Sequence, residues 1–182
     1  MATCNITSGY TLGCRANTGG LTSVFILSGS ITAVAETAGA ITEITGIGEF
    51  FEFELPRNVG QLLETPNASL ENGSLFFEQQ VDIQMQKLQT SVRNQVFELA
   101  KNPDLKIIVK TNNGTDDGVG QYFLVGRYRG MSVSGGTGGS GTAFGDLNGY
   151  SLSFTGQEPA PVFEIDTTGG DLSTALVGIT LG

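Results

Sequence analysis

The sequence predicts a mainly β fold: an antiparallel β-sandwich or barrel flanked by one α-helix at about residues 90–101. Three observations lead there. Short β-prone runs recur along the chain, separated by clusters of Gly, Ser, Asn and Pro. The stretch Leu75–Leu88 alternates apolar and polar side chains, the period of a strand with one dry face and one wet face. A single stretch carries the 3.6-residue apolar stripe of a helix.

Residues 1–48 are rich in Thr, Ser, Gly and Ala. Within them Val24–Leu27 and Ile31–Val34 read as two short strands, split by a tight turn at Ser28-Gly29-Ser30. Residues 49–55 (EFFEFEL) read as a strand that sends Phe51, Phe53 and Leu55 one way and Glu52 and Glu54 the other. Pro56 ends it. Residues 56–73 hold two Pro, two Gly and three Asn without a sustained period, so they read as a long irregular loop with a functional or interface role. In Leu75–Leu88, Phe77, Val81, Ile83 and Met85 take odd positions, while Glu78, Gln80, Asp82, Gln84 and Gln86 take even ones. The absence of Pro and Lys from 75–86 fits a strand edge meant to be paired.

The helix follows, with Val92, Val96, Leu99 and Ala100 on one stripe, Thr90 or Ser91 as N-cap and Asn102-Pro103 as its end. Leu105–Thr111 is a strand with Leu105, Ile107 and Val109 on one face. Residues 112–118 (NNGTDDG) carry turn chemistry. Gln121–Val133 reads as one strand kinked at Gly126 or Gly130, Ser134–Gly149 as a Gly-rich loop, Tyr150–Thr155 as a strand and Val162–Ile165 as a short one. The chain is expected to form a single domain with three parts: a Gly/Thr-rich arm with the first strands (1–48), a β-sandwich core (49–158) and a C-terminal extension (159–182).

Composition narrows the function. Of 182 residues 27 are Gly, about twice the usual share, and charged residues make up only 15%. No run approaches the ~18 apolar residues of a membrane span, and no membrane partner is expected. The opening MATCNIT lacks the basic and apolar regions of a secretion signal, so no standard secretion route is expected. There is no His, which removes Ser-His-Asp and Cys-His catalysis and every His-containing zinc site. Nine basic and eighteen acidic residues give a net charge of −9, which opposes nucleic-acid binding through a global positive field. The charge is uneven: residues 81–130 hold seven of the nine cations, a basic belt between acidic ends that suits pairing with copies of itself. Cys4 and Cys14 fit either a small structural disulfide loop or two reduced thiols.

Other chemistry fares poorly. Gly136, Gly138 and Gly141 spell G-x-G-x-x-G, but no helical stripe follows, so no dinucleotide site or other cofactor is expected. Asn112, Asp116 and Asp117 lack the spacing of a calcium loop, and no metal is assigned. Glu49, Glu52 and Glu54 on a strand's outer face read as solvated carboxylates rather than a glycosidase pair. The N-x-[ST] sequences at Asn5, Asn67, Asn72 and Asn113 mark polar loops. The protein is not expected to be an enzyme.

Taken in order, the elements of residues 49–158 resemble a known family. They are a strand, a long loop, the alternating strand in ENGSLFFEQQVDIQMQKL (71–88), the helix TSVRNQVFELAKN (90–102), KIIVK (106–110), a further strand with its Gly-rich turn, and GYSLSFTGQEP (149–159). This set, about 110 of 182 residues, resembles the tail tube (major tail) proteins of tailed bacteriophages. The resemblance implies a β-sandwich with one helix, assembled as hexameric rings that stack into a tube conducting DNA. It implies a virion protein assembled in the host cytoplasm, with itself, other phage tail or neck proteins and unbound passing DNA as partners. The polar residues Glu78, Gln80, Asp82, Gln84 and Gln86 then line the channel. Arg57, Asn58, Gln61, Leu62, Leu63 and Asn67 of the 56–73 segment then contact the adjacent ring. Residues 1–48 and the tail after 158 exceed that pattern and fit arms to neighbouring subunits. A capsid decoration or neck protein, and a carbohydrate-binding β-sandwich, are the alternatives.

Overall fold

The computed structural model describes residues 8–11, 17–114, 120–168 and 170–182. Cys4, Cys14, Asp116 and Asp117 lie outside the described residues. The elements are β1 (Leu21–Thr37), β2 (Ala40–Glu54), β3 (Gln61–Ser69), β4 (Ser74–Gln86), α1 (Thr90–Lys101), β5 (Ile107–Gly114), β6 (Gly120–Val125), β7 (Ser132–Gly139), β8 (Gly149–Glu158), β9 (Phe163–Ile165) and β10 (Leu176–Leu181), with a single 3₁₀ turn at Leu172–Ala175. The fold is mainly β with one helix, as the patterning predicts, and its sheets are dominated by antiparallel pairs.

Two layers form. In the first, strands run in the order β1-β5-β6-β9-β2, and pairing of β1 with β2 closes them into a barrel. Along one edge β2 pairs with β1; along the other it pairs with β9 at Ile41 and, in parallel, with β10 from Ile44 to Phe50. The second layer is an open four-stranded sheet in the order β3-β4-β8-β7.

This architecture explains the unbroken apolar runs. In β1, Val24 and Ile26 face the open sheet, while Phe25 and Leu27 face the barrel interior. Ile107 and Val109 of β5 face the sheet and Ile108 faces the interior. A barrel wall covered on both sides must be apolar at every position, so these strands read as continuous hydrophobic runs rather than alternating ones. The inter-layer core joins them to Val81, Ile83, Met85, Leu152, Phe154 and the helix residues Val92 and Leu99. Full burial of each such side chain stabilises the fold by about 1.5–3 kcal/mol.

Several local expectations are corrected. Ser28-Gly29-Ser30 is not a turn: β1 runs straight through it, and the hairpin turns at Ala38-Gly39, both with positive φ, as a two-residue connection requires. Gly29 instead faces Gly48 across the hairpin, where a Cβ on Gly29 would fall 2.0 Å from the Ile47 carbonyl oxygen. Two strands can approach this closely only when both positions lack a side chain.

The 56–73 segment is not an irregular loop, because residues 61–69 form β3, paired in full register with β4. Pro66 hides that strand in the sequence, and edge strands are where Pro is tolerated. The segment 121–133 is two strands in different layers, with the chain crossing over at residues 126–130. The Gly-rich stretch begins as β7, so Gly136 and Gly138 are strand residues. Strand β4 is no edge: β3 and β8 flank it within the chain. The N-cap of α1 is Gln89, with no side-chain cap bond, rather than Thr90 or Ser91. Ala100 is exposed and Val96 is half-buried. Phe50, on the same side of β2 as Glu52 and Glu54, is fully buried in the barrel, whereas Phe51 is largely exposed.

The boundary at 48/49 falls inside β2. Within 159–182, β9 closes the barrel, and Leu172, Ala175 and Ile179 fill its interior. Residues 21–48, β9 and the Leu172–Leu181 segment are therefore structural parts of the barrel.

Candidate assembly surface

The four strands β3, β4, β7 and β8 contain no Lys or Arg. One face of their sheet packs on the barrel through Val81, Ile83, Met85, Leu152 and Phe154. No other described element covers the opposite face. Period two places Glu78, Gln80, Asp82, Gln84 and Gln86 of β4 on it, and the register aligns Gln157, Thr155, Ser153 and Ser151 of β8 beside Glu78, Gln80, Asp82 and Gln84. On the other side of β4, Gln61, Leu63 and Thr65 of β3 stand opposite Asp82, Gln80 and Glu78. The structure thus brings the five sequence-predicted β4 residues together on one wall. The β8 contribution was missed as a site, although the alternation in residues 149–157 carries the same signal.

Asp82 organises the wall. Its carboxylate accepts the Gln61 side-chain amide at 2.5 Å, the Ser153 hydroxyl at 2.5 Å and the Gln80 amide at 3.0 Å. Three strands are linked through one side chain. Partial burial of Asp82 acts to raise its pKa, but the bonds from Ser153, Gln61 and Gln80 outweigh it and hold the carboxyl below its usual range.

The sheet ends in two edges, β3 and β7, that no other described strand covers. All three internal pairings are antiparallel, so strand directions alternate along β3-β4-β8-β7. An even number of alternating strands leaves β7 antiparallel to β3. A neighbour's β3 can therefore join β7 without a break in the alternation.

The crossover at 126–130 ties this sheet to the barrel. Glu158 is 1% exposed, and its carboxylate accepts the backbone N–H groups of Tyr128, Arg129 and Gly130 at 2.9, 2.7 and 3.1 Å. Gln79, 2% exposed, accepts the N–H of Gly126 at 3.0 Å and donates to the Ala160 carbonyl at 3.4 Å. Two buried polar side chains thus satisfy a crossing loop that has no sheet ladder of its own. Arg127 of this loop pairs with Glu36 at the far end of the β1–β2 hairpin and stacks 4.5 Å from the Phe163 ring centre.

The residues expected at an inter-ring contact are dispersed. Arg57 and Asn58 precede β3, at the end of that strand remote from its hairpin turn, while Gln61 to Asn67 extend about 20 Å along it. Gln61 is bound to Asp82, and Leu62 packs against the inter-layer core. The turn at residues 70–73 joins β3 to β4, and Leu70 is fully exposed there. A cleft of about 850 Å³ lies between α1, the outer face of β1 and β2, and the end of β4. Its apolar lining includes Phe51, Met85, Val92 and Leu99.

The chain therefore defines a class by its geometry: a closed β-barrel carrying an open, polar-faced four-stranded sheet. No protein-family model matches the chain, and no curated protein or solved structure matches it.

Proposed function

We propose that this protein is a structural subunit that closes into rings through its four-stranded sheet, the rings stacking into a bacteriophage tail tube that conducts DNA. The observation that carries the reading is a sheet whose strands hold no Lys or Arg, with one polar face and two edges that no other described element covers and strand directions that alternate across them. Joining β7 of each copy to β3 of the next removes both edges and makes one continuous wall. The strands give the inward surface of that wall Gln, Ser, Thr, Asp and Glu together with Leu63, and Arg129 of the crossing loop borders it beside Glu78. With no Lys or Arg on its strands, such a surface offers phosphates little counterion-release affinity, so DNA slides past it rather than adhering. The barrel and α1 then lie outside the wall. Six copies, the number implied by the family resemblance, make a wall of 4 × 6 = 24 strands. The hairpin turn at 70–73 reaches toward the adjacent ring.

Electron microscopy of the purified chain tests this. Hollow rings and stacked tubes are the expected result. Single rings that never stack favour a neck or connector component, and lone compact particles overturn the reading.

A further inference from the structure

The four-stranded sheet has two chemically different ends. At one end lies the β3–β4 turn, where Ser69 pairs with Ser74. Leu70 and Leu75 are exposed there beside Glu71, and no cation occurs anywhere from Gln61 to Gln86. At the other end Gln86 pairs with Gly149, and the connection from β7 to β8 projects. Phe144 stands at its tip with no cover.

That tip is built, not loose. The Asp146 carboxylate accepts the Thr142 N–H at 2.8 Å, the Thr142 hydroxyl at 3.0 Å and the Ala143 N–H at 2.8 Å. The Asp146 N–H closes the turn on the Ala143 carbonyl at 3.1 Å. An aromatic held out by a locked turn gives up little conformational entropy when it is covered. Beside it, the Lys87 N–H donates to the Asn148 carbonyl at 2.6 Å and the Leu88 N–H to the Asn148 side chain at 3.3 Å. Lys87 is exposed, as is Leu88. The second end thus exposes Phe144 and Leu88 with Lys87, its Asp146 carboxylate being taken up in the turn, where the first exposes Leu70 and Leu75 with Glu71, and Arg129 and Glu78 line one recess further down the sheet.

We infer that these two ends are complementary surfaces. Leu70, Glu71 and Leu75 of one copy seat against Phe144, Lys87 and Leu88 of a second copy in the next ring. The inference rests on the ring reading above and adds which residues meet between rings. Strand β4 spans about 40 Å from one end to the other. In a ring closed by edge pairing, the strands run from one rim to the other, so the two ends emerge on opposite rims. Stacking in one polar direction then brings unlike ends together. Such a head-to-tail contact does not close on itself and so generates an open stack. Burying Phe144 removes an exposed aromatic, and Glu71 opposite Lys87 fixes which ends may meet.

The test uses the full chain with Phe144→Ser, Glu71→Lys, Lys87→Glu and the double Glu71→Lys/Lys87→Glu, read by electron microscopy and sedimentation. Every variant should still form rings. Phe144→Ser should raise the concentration needed for stacking about tenfold or more, as loss of a central aromatic anchor does. Each single charge reversal should shorten the stacks, and the double reversal should restore them. Wild-type stack lengths in Phe144→Ser, a double variant no better than the singles, or wild-type rings that never stack would each overturn this contact while leaving the rings standing. A wild-type chain that forms no rings overturns the ring reading first and this contact with it.

Discussion

The carboxylate of Glu158 sits 2.7 Å from the backbone nitrogen of Arg129, at the centre of three N–H donors, in a site with almost no access to solvent. The pair joins the last residue of β8 to the loop that leaves the barrel and enters the open sheet. The carboxylate therefore decides whether the two layers hold their relative position. Glu158→Ala strands the N–H groups of Tyr128, Arg129 and Gly130 in a buried site. The expected loss is about 3 kcal/mol or more. Glu158→Gln keeps an acceptor oxygen and should lose clearly less. Denaturant unfolding of the two variants checks the order, and equal losses would show that the cradle is not what Glu158 supplies.

The helix gives a graded prediction. Val92 and Leu99 are buried against the inter-layer core, whereas Val96 between them is only half-buried. Leu99→Asp places an unpaired charge in that core and should prevent folding. Val96→Asp can turn its carboxylate to water, so it should fold with a lowered midpoint. Leu99→Ala should cost about 2–5 kcal/mol. Circular dichroism with thermal melts reads all three. Equal tolerance of the two aspartates would show that α1 does not bury the face assigned to it.

The wall has a pH signature. The bonds that Asp82 receives hold its carboxyl below the ordinary range of about pH 4, against the opposing effect of burial. A group whose folded pKa is depressed contributes stability that is complete above its unfolded value and is lost as pH falls through the folded one. Stability of the wild type should therefore fall on acidification below about pH 4. Asp82→Asn should flatten that acid limb and be less stable at neutral pH. Unfolding midpoints from pH 2.5 to 7 check it, and parallel curves for the two proteins would remove Asp82 from the acid response.

Much of this was legible in the chain, and the exceptions share a cause. The alternation in 75–88 and 150–155 placed β4 and β8 and the β4 share of the polar wall, because period two fixes faces without any knowledge of neighbours. The stripe of Val92, Val96 and Leu99 placed α1 at about its observed span, although its N-cap is Gln89. What failed depended on partners distant in sequence. Ser28-Gly29-Ser30 has the composition of a turn, and only Gly48 across the hairpin reveals a close approach instead. Strand β3 has Pro66 in it and exposed side chains on both faces near its tip, so no period survives. Gly126 does mark a break, but whether the chain bends within a sheet or crosses to another depends on Gln79, 47 residues earlier. Edge status belongs to the sheet order, which is why β4 looked like an edge when β3 and β7 are the edges.

The wall's exposure to a channel can be tested without disturbing its linkage. Asp82 holds Gln61, Gln80 and Ser153, so replacing Asp82 or Gln80 would confuse a change of charge with a loss of cross-strand bonds. Glu78, Gln84 and Gln86 stand on the same face, and none of them takes part in the Asp82 cluster. The triple variant Glu78→Lys, Gln84→Lys, Gln86→Lys should therefore fold and form rings of normal appearance. Its wall gains three cations per copy where the wild-type sheet has none. If that face lines the channel, DNA meets successive rings of ammonium groups and is held by phosphate contacts whose strength falls steeply with salt. DNA retention by assembled tubes, measured at low and high salt, reads the effect directly. Retention should rise strongly at low salt and return toward the wild-type value at high salt. Tubes that pass or release DNA identically at both salt concentrations would place this face on the outside.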